Sequence, residues 1–124
     1  IDPNGRQPGW CFLGDPKVVN MSPIGLARFC TLRSWLSQWS YEYSNADGVY
    51  CAPGVTVPAL IIGNGADDAC TPGDTQALFE ALGTADKTRF TINEANHYYF
   101  GQPKLLQQAV QHCVEWLGAK GFLG

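Results

Sequence analysis

Two short loops in this chain carry residue types that can move a proton. The first, Gly63-Asn64-Gly65-Ala66-Asp67-Asp68-Ala69-Cys70-Thr71-Pro72, holds two adjacent carboxylates. The second, Asn93-Glu94-Ala95-Asn96-His97-Tyr98-Tyr99-Phe100-Gly101, holds a histidine among aromatic residues. A histidine acting as general base needs one ring nitrogen to accept a proton, and a carboxylate on the other nitrogen fixes that tautomer. The same carboxylate stabilises the imidazolium formed during attack. An acid and a histidine brought to one place would therefore form two parts of a hydrolytic triad.

The elements before each loop explain how they could meet. Val57-Pro58-Ala59-Leu60-Ile61-Ile62-Gly63 is a continuous apolar run, as expected of a parallel strand covered on both faces. Thr88 to Ile92 alternates polar and apolar, which predicts a second strand nearer a sheet edge. Between them Thr71 is suited to N-cap a helix with Pro72 in its first position and Asp74 in its first turn. Ala77, Leu78, Ala81 and Leu82 line that helix, and Gly83 stops it. A last helix runs from about Pro103 to Leu117, with Leu106, Ala109, Val110, Cys113 and Leu117 as its buried stripe and Gly118 at its end. Strand–helix–strand–helix order predicts a parallel sheet. In such sheets functional loops lie beyond the carboxyl ends of the strands.

The upstream chain is different in character. Residues 1–25 are rich in Gly and Pro and predict irregular backbone. From Leu26 to about Tyr43, Phe29, Leu32, Leu36, Trp39 and Tyr43 share one helical face, with Trp35 off the stripe. That pattern fits a helix packed on two sides, or a lid lining an apolar pocket. Residues 1–54 thus form a lid or crossover region, and residues 55–124 a βαβα unit.

With the two loops and their strands in place, a resemblance becomes specific. Val57 to Pro72 resembles the strand and acid loop of the α/β-hydrolase superfamily, in which Gly-x-x-Asp is followed by Pro four residues on. Gly65, Asp68 and Pro72 match. The resemblance implies Asp68, rather than Asp67, as the catalytic acid, and His97 in Ala-Asn-His-Tyr-Tyr as the base. Asn96 stands where the family often has Gly. The family's chain order of nucleophile, acid and histidine is kept for the last two members. The implied fold is α/β, a partial α/β-hydrolase fold of esterase or lipase type. Its C-terminal parallel strands carry flanking helices and follow an irregular, helical lid-like segment.

The nucleophile has no counterpart. The family places it in G-x-S-x-G, a strained strand-to-helix elbow, and none of Ser22, Ser34, Ser37, Ser40 and Ser44 has Gly on both sides at that spacing. Cys70 is adjacent to the acid loop but on the wrong strand for a nucleophile. His112 reads as a helix-face residue. An acid–base pair without nucleophile or oxyanion hole supplies little hydrolysis by itself. The chain begins at Ile1 rather than Met, which reads as the C-terminal part of a longer or processed hydrolase acting on carboxylic esters. The competing reading is an inert fragment or self-associating assembly module, burying its cut sheet edge in a homo-oligomer.

Composition narrows the rest. A net charge of −3 with only 8 scattered basic residues excludes a phosphate-binding surface, hence nucleic acid. No apolar run reaches the length needed to span a bilayer. Five cysteines without a CxxC pair point to reduced, mostly buried thiols in a cytoplasmic protein, without zinc or other cofactor, although an export signal upstream is compatible with this sequence. The partners expected are a small acyl substrate and either a missing N-terminal portion or a second copy.

Overall fold

A computed structural model describes residues 8–10, 14–23 and 30–123. It divides into two units, residues 1–47 and residues 48–124. The division lies ahead of the 54/55 boundary drawn from composition.

In the first unit, Pro16–Met21 form a short helix (α1), where the Gly/Pro-rich composition predicts irregular chain. The Asp15 side chain accepts the Lys17 N–H at 2.9 Å, and Pro16 occupies a helix-start position, so the local signals for a helix start are complete. The aromatic helix is shorter than its periodicity predicts: α2 spans Leu32–Trp39. Thr31 caps it by accepting the Ser34 N–H at 3.1 Å, and Ser40 ends it in extended backbone. The Ser40 hydroxyl then accepts the Glu42 and Tyr43 N–H groups, each at 3.3 Å. The side chain thus competes with helical hydrogen bonding where the stripe would have continued. Phe29, the first aromatic residue of that stripe, lies outside the described residues. Leu32, Trp35, Leu36 and Trp39 are all exposed, so the expected two-sided packing is not found among the described residues.

The second unit opens with α3 (Gly48–Cys51), followed by a 3-10 turn at Ala52–Gly54. Strand β1 (Ala59–Asn64), helix α4 (Pro72–Ala81), strand β2 (Lys87–Ile92) and helix α5 (Pro103–Ala119) follow in the predicted order. The strands pair in parallel, from Ala59 opposite Lys87 to Asn64 opposite Ile92, giving a mixed α/β unit with a two-stranded sheet. Only Gly63 in β1 is buried. With two strands described, the apolar run lacks the full cover on both faces that it predicts.

Helix α4 starts as expected. Thr71 accepts the Asp74 N–H, and the Asp74 carboxylate accepts the Thr71 N–H at 2.9 Å, forming a reciprocal cap. Its other end depends on β2: the Lys87 ammonium donates to the carbonyls of Phe79, Glu80 and Leu82 at 2.9, 3.2 and 3.2 Å. A cation there satisfies the last carbonyls of the helix and its negative dipole end. Gly83 does more than end α4, because its N–H donates to the Ala52 carbonyl at 3.1 Å. A Cβ at Gly83 would lie 2.0 Å from the Pro53 carbonyl oxygen, so this contact requires glycine. Residues 48–54 therefore pack against α4 of the βαβα unit.

The core is small. Ile92, Ala95 and Ala109 are buried, with Ile62, Tyr99 and Leu105 packed around them. In α5, Ala109 is buried, but Leu106 and Val110 from the expected inner stripe are exposed. Among the described residues the expectation of mostly buried thiols is also corrected: Cys30, Cys51 and Cys70 are exposed and Cys113 is half-buried, while Cys11 lies outside them. A core this small has little interior in which to place them. No helix among the described residues is long and apolar enough to cross a membrane.

Candidate functional site

Because Asn64 and Ile92 end the paired strands opposite one another, the acid and histidine loops leave the sheet at the same edge. Backbone hydrogen bonds join them at once. The Gly65 N–H donates to the Ile92 carbonyl at 2.9 Å, and the Ala66 N–H to the Ala95 carbonyl at 3.0 Å. A Cβ at Gly65 would lie 3.2 Å from Asn93 Cα, so the glycine allows this close approach.

Side chains fix the histidine loop further. Asn64 donates to the Asn96 carbonyl at 3.0 Å and accepts the Tyr99 hydroxyl at 2.7 Å. Gln102 accepts the Asn96 N–H at 2.9 Å and donates to the Glu94 carbonyl at 2.7 Å. Asn96, standing where glycine is common in the resembled family, closes its own turn by accepting the Phe100 N–H at 2.9 Å. Glu94 and Tyr99 adopt positive φ of 63° and 53°, uncommon for residues with side chains. This network is dense enough to hold such backbone. Asn64, Tyr99 and Gln102 belong to no motif in the sequence. Their signal, polar residues at a strand end and on both sides of a histidine, acquires meaning only once the loops meet.

The carboxylate beside His97 is that of Asp67. Its Oδ2 lies 2.9 Å and its Oδ1 3.2 Å from His97 Nδ1. Asp67 is only 7% exposed, and its Oδ1 also accepts the N–H groups of Ala69 at 2.8 Å and Cys70 at 2.9 Å. Burial pushes its pKa up, but the His97 hydrogen bond, the Cys70 and Ala69 N–H groups and the His97 charge outweigh it. The carboxyl is held below its ordinary value. The carboxylate at Nδ1 is thus that of the residue preceding Asp68, the one the spacing pattern selects. Consecutive residues in a tight turn project differently, and the turn closed on Asp67 Oδ1 directs that side chain inward. Asp68 follows it in the same turn.

The Cys70 thiol is close to the pair. Burial and then the charges of Asp67 and Asp74 push its pKa up. A thiol held protonated is a poor nucleophile. Tyr98 stacks edge-on against His97, with ring centroids 4.5 Å apart, and Tyr98 and, further along the same loop, Phe100 are exposed. A hollow of about 180 Å³ on the sheet is lined by Asn64, Pro72, Gln76 and Arg89 among others, but not by Asp67 or His97. A separate open groove of about 530 Å³, within the first unit, is walled by Leu32, Leu36 and Tyr43. His112 lies away from the histidine loop, in α5, stacked on Phe90 at 4.1 Å.

No family model, curated protein or solved structure matches this chain.

Proposed function

We infer that this chain supplies the acid and the histidine of a Ser-His-Asp type triad for hydrolysis of carboxylic esters. Asp67 takes the acid's role, and the nucleophile lies outside this sequence. The carrying observation is the 2.9 Å contact between Asp67 Oδ2 and His97 Nδ1 beyond the carboxyl ends of two parallel strands. The carboxylate would hold the proton on Nδ1, making Nε2 the base that takes the nucleophile's proton and returns it to the leaving alcohol. Exposed Tyr98, edge-on against the imidazole, favours a substrate with an apolar acyl or aromatic portion. The partial α/β-hydrolase fold belongs to the same proposal, supported by strand order and loop placement.

The test is turnover of a short-chain chromogenic ester by the longest native polypeptide carrying this sequence, identified by intact mass. His97→Ala and Asp67→Asn should each lower kcat/KM on the order of 10⁴-fold. Absence of turnover, or turnover indifferent to His97, would overturn the reading.

A second reading, a self-associating module, has one observation in its favour. Leu106, Val110 and Val114, spaced by four along α5, are 47%, 53% and 51% exposed. A concentration-independent monomer mass in solution would count against it.

A further inference from the structure

The acid loop and the histidine loop bring together three different donors. An oxygen of Asp67, the sulfur of Cys70 and a ring nitrogen of His97 all lie within 4.8 Å of one another. We propose that these three side chains form a binding site for a divalent cation of borderline softness, Zn²⁺ in the first instance, with solvent in a fourth position. The inference rests on the three donors alone and stands whether or not the chain belongs to a hydrolase.

The donor chemistry selects the cation. Imidazole and thiolate suit zinc, whereas calcium and magnesium require shells of oxygen ligands. Tetrahedral zinc holds such atoms about 3.3–3.6 Å apart, as its bond lengths of roughly 2.0–2.3 Å require. Closing the set therefore needs shifts of about 1 Å or less. Asp67 is fixed by the Ala69 and Cys70 N–H groups, while Cys70 is exposed and can adjust its rotamer. Charge also balances: one carboxylate and one thiolate neutralise the dication, and the thiol proton leaves to solvent on binding. Two donors come from one turn and the third from the neighbouring loop. Hydrogen bonds from Gly65 to Ile92 and Ala66 to Ala95 hold these loops together, so much of the ordering cost is met by the fold. Three protein ligands leave a coordination position open, as in zinc sites that exchange water or bind a further ligand.

Titration of the reduced full chain with Co²⁺ as a spectroscopic stand-in tests the site. Native protein should give one saturating phase at one metal per chain, with a thiolate-to-cobalt absorption band that Zn²⁺ displaces and excess Mg²⁺ does not. Cys70→Ser should abolish the band, and His97→Gln should weaken Co²⁺ binding at least about tenfold. Cys51→Ser and Cys113→Ser should leave both unchanged. Circular dichroism would establish that each variant is folded. With two independent ligand variants, loss of fold in one leaves the other decisive. A native protein without the band would overturn the site. So would a band surviving in folded Cys70→Ser, affinity unaffected in folded His97→Gln, or displacement by Mg²⁺.

Discussion

Asp67 Oδ2 lies 2.9 Å from His97 Nδ1, although the two residues are 30 positions apart in the chain. The pair is formed by strand register: β1 and β2 end opposite one another, and each residue follows in the next loop. Asp67 is further held by the two N–H groups of its own turn. Its orientation is therefore set before any substrate arrives. In metal-free protein the nitrogen resonances of the neutral form of His97 should place its proton on Nδ1. Asp67→Asn should redistribute the tautomers.

Acid should weaken the fold partly through the same carboxylate. The folded pKa of Asp67 is depressed, so the unfolded chain takes up its proton first as pH falls. Its contribution is present above the unfolded value of about 4 and is lost as pH drops through the lower folded value. Urea unfolding followed from pH 7 to pH 2 should show a smaller acid-dependent loss in Asp67→Asn than in the native chain.

Gly83 offers a sharper test of packing. A methyl carbon added there would lie only 2.0 Å from the Pro53 oxygen, so Gly83→Ala must move one backbone segment away from the other. The expected cost is about 3 kcal/mol or more, large for one methyl group, and readable as a lowered urea midpoint. Gly54→Ala, where nothing lies within 4 Å of the added carbon, should change the midpoint far less.

Removing the Tyr99 hydroxyl should loosen the histidine loop. Tyr99→Phe leaves the Asn64 oxygen without its 2.7 Å donor and should cost about 1–2 kcal/mol. Amide exchange should rise from Asn96 to Gln102, with smaller changes in α4. An unchanged exchange pattern would show that the Gln102 and Asn96 bonds hold the loop without Asn64.

His112→Leu should behave in the opposite sense. His112 Nδ1 is buried and has no hydrogen-bond partner among the described residues, while its ring stacks on Phe90. An apolar side chain removes that unsatisfied atom, at the cost of the stack. The urea midpoint should stay within about 1 kcal/mol of native or rise. A loss of several kcal/mol would mean that His112 has a hydrogen-bonding role.

Local chemistry made much of the second unit legible in the sequence. Thr71, Pro72 and Asp74 specify a helix start from groups within four residues of one another, and α4 starts there. The apolar run ending at Gly63 and the alternation ending at Ile92 predicted strands, and those strands pair in parallel. The loops worth searching for acid and base could therefore be named from the chain alone.

What the sequence by itself did not determine was set by non-local contacts. Motif spacing pointed to Asp68, and nothing in it foretold that the closure of the turn onto Asp67 Oδ1 and the approach of the second loop would turn Asp67 toward His97. Helical periodicity could not register that the Ser40 hydroxyl would capture the N–H groups that follow α2. Gly83 read as a helix stop because the backbone of Pro53, which makes glycine necessary there, is distant in sequence. The residue types and the elements carrying them follow from local preferences and hydrophobic period. That Asp67 meets the histidine depends on hydrogen bonds between segments that only folding brings together.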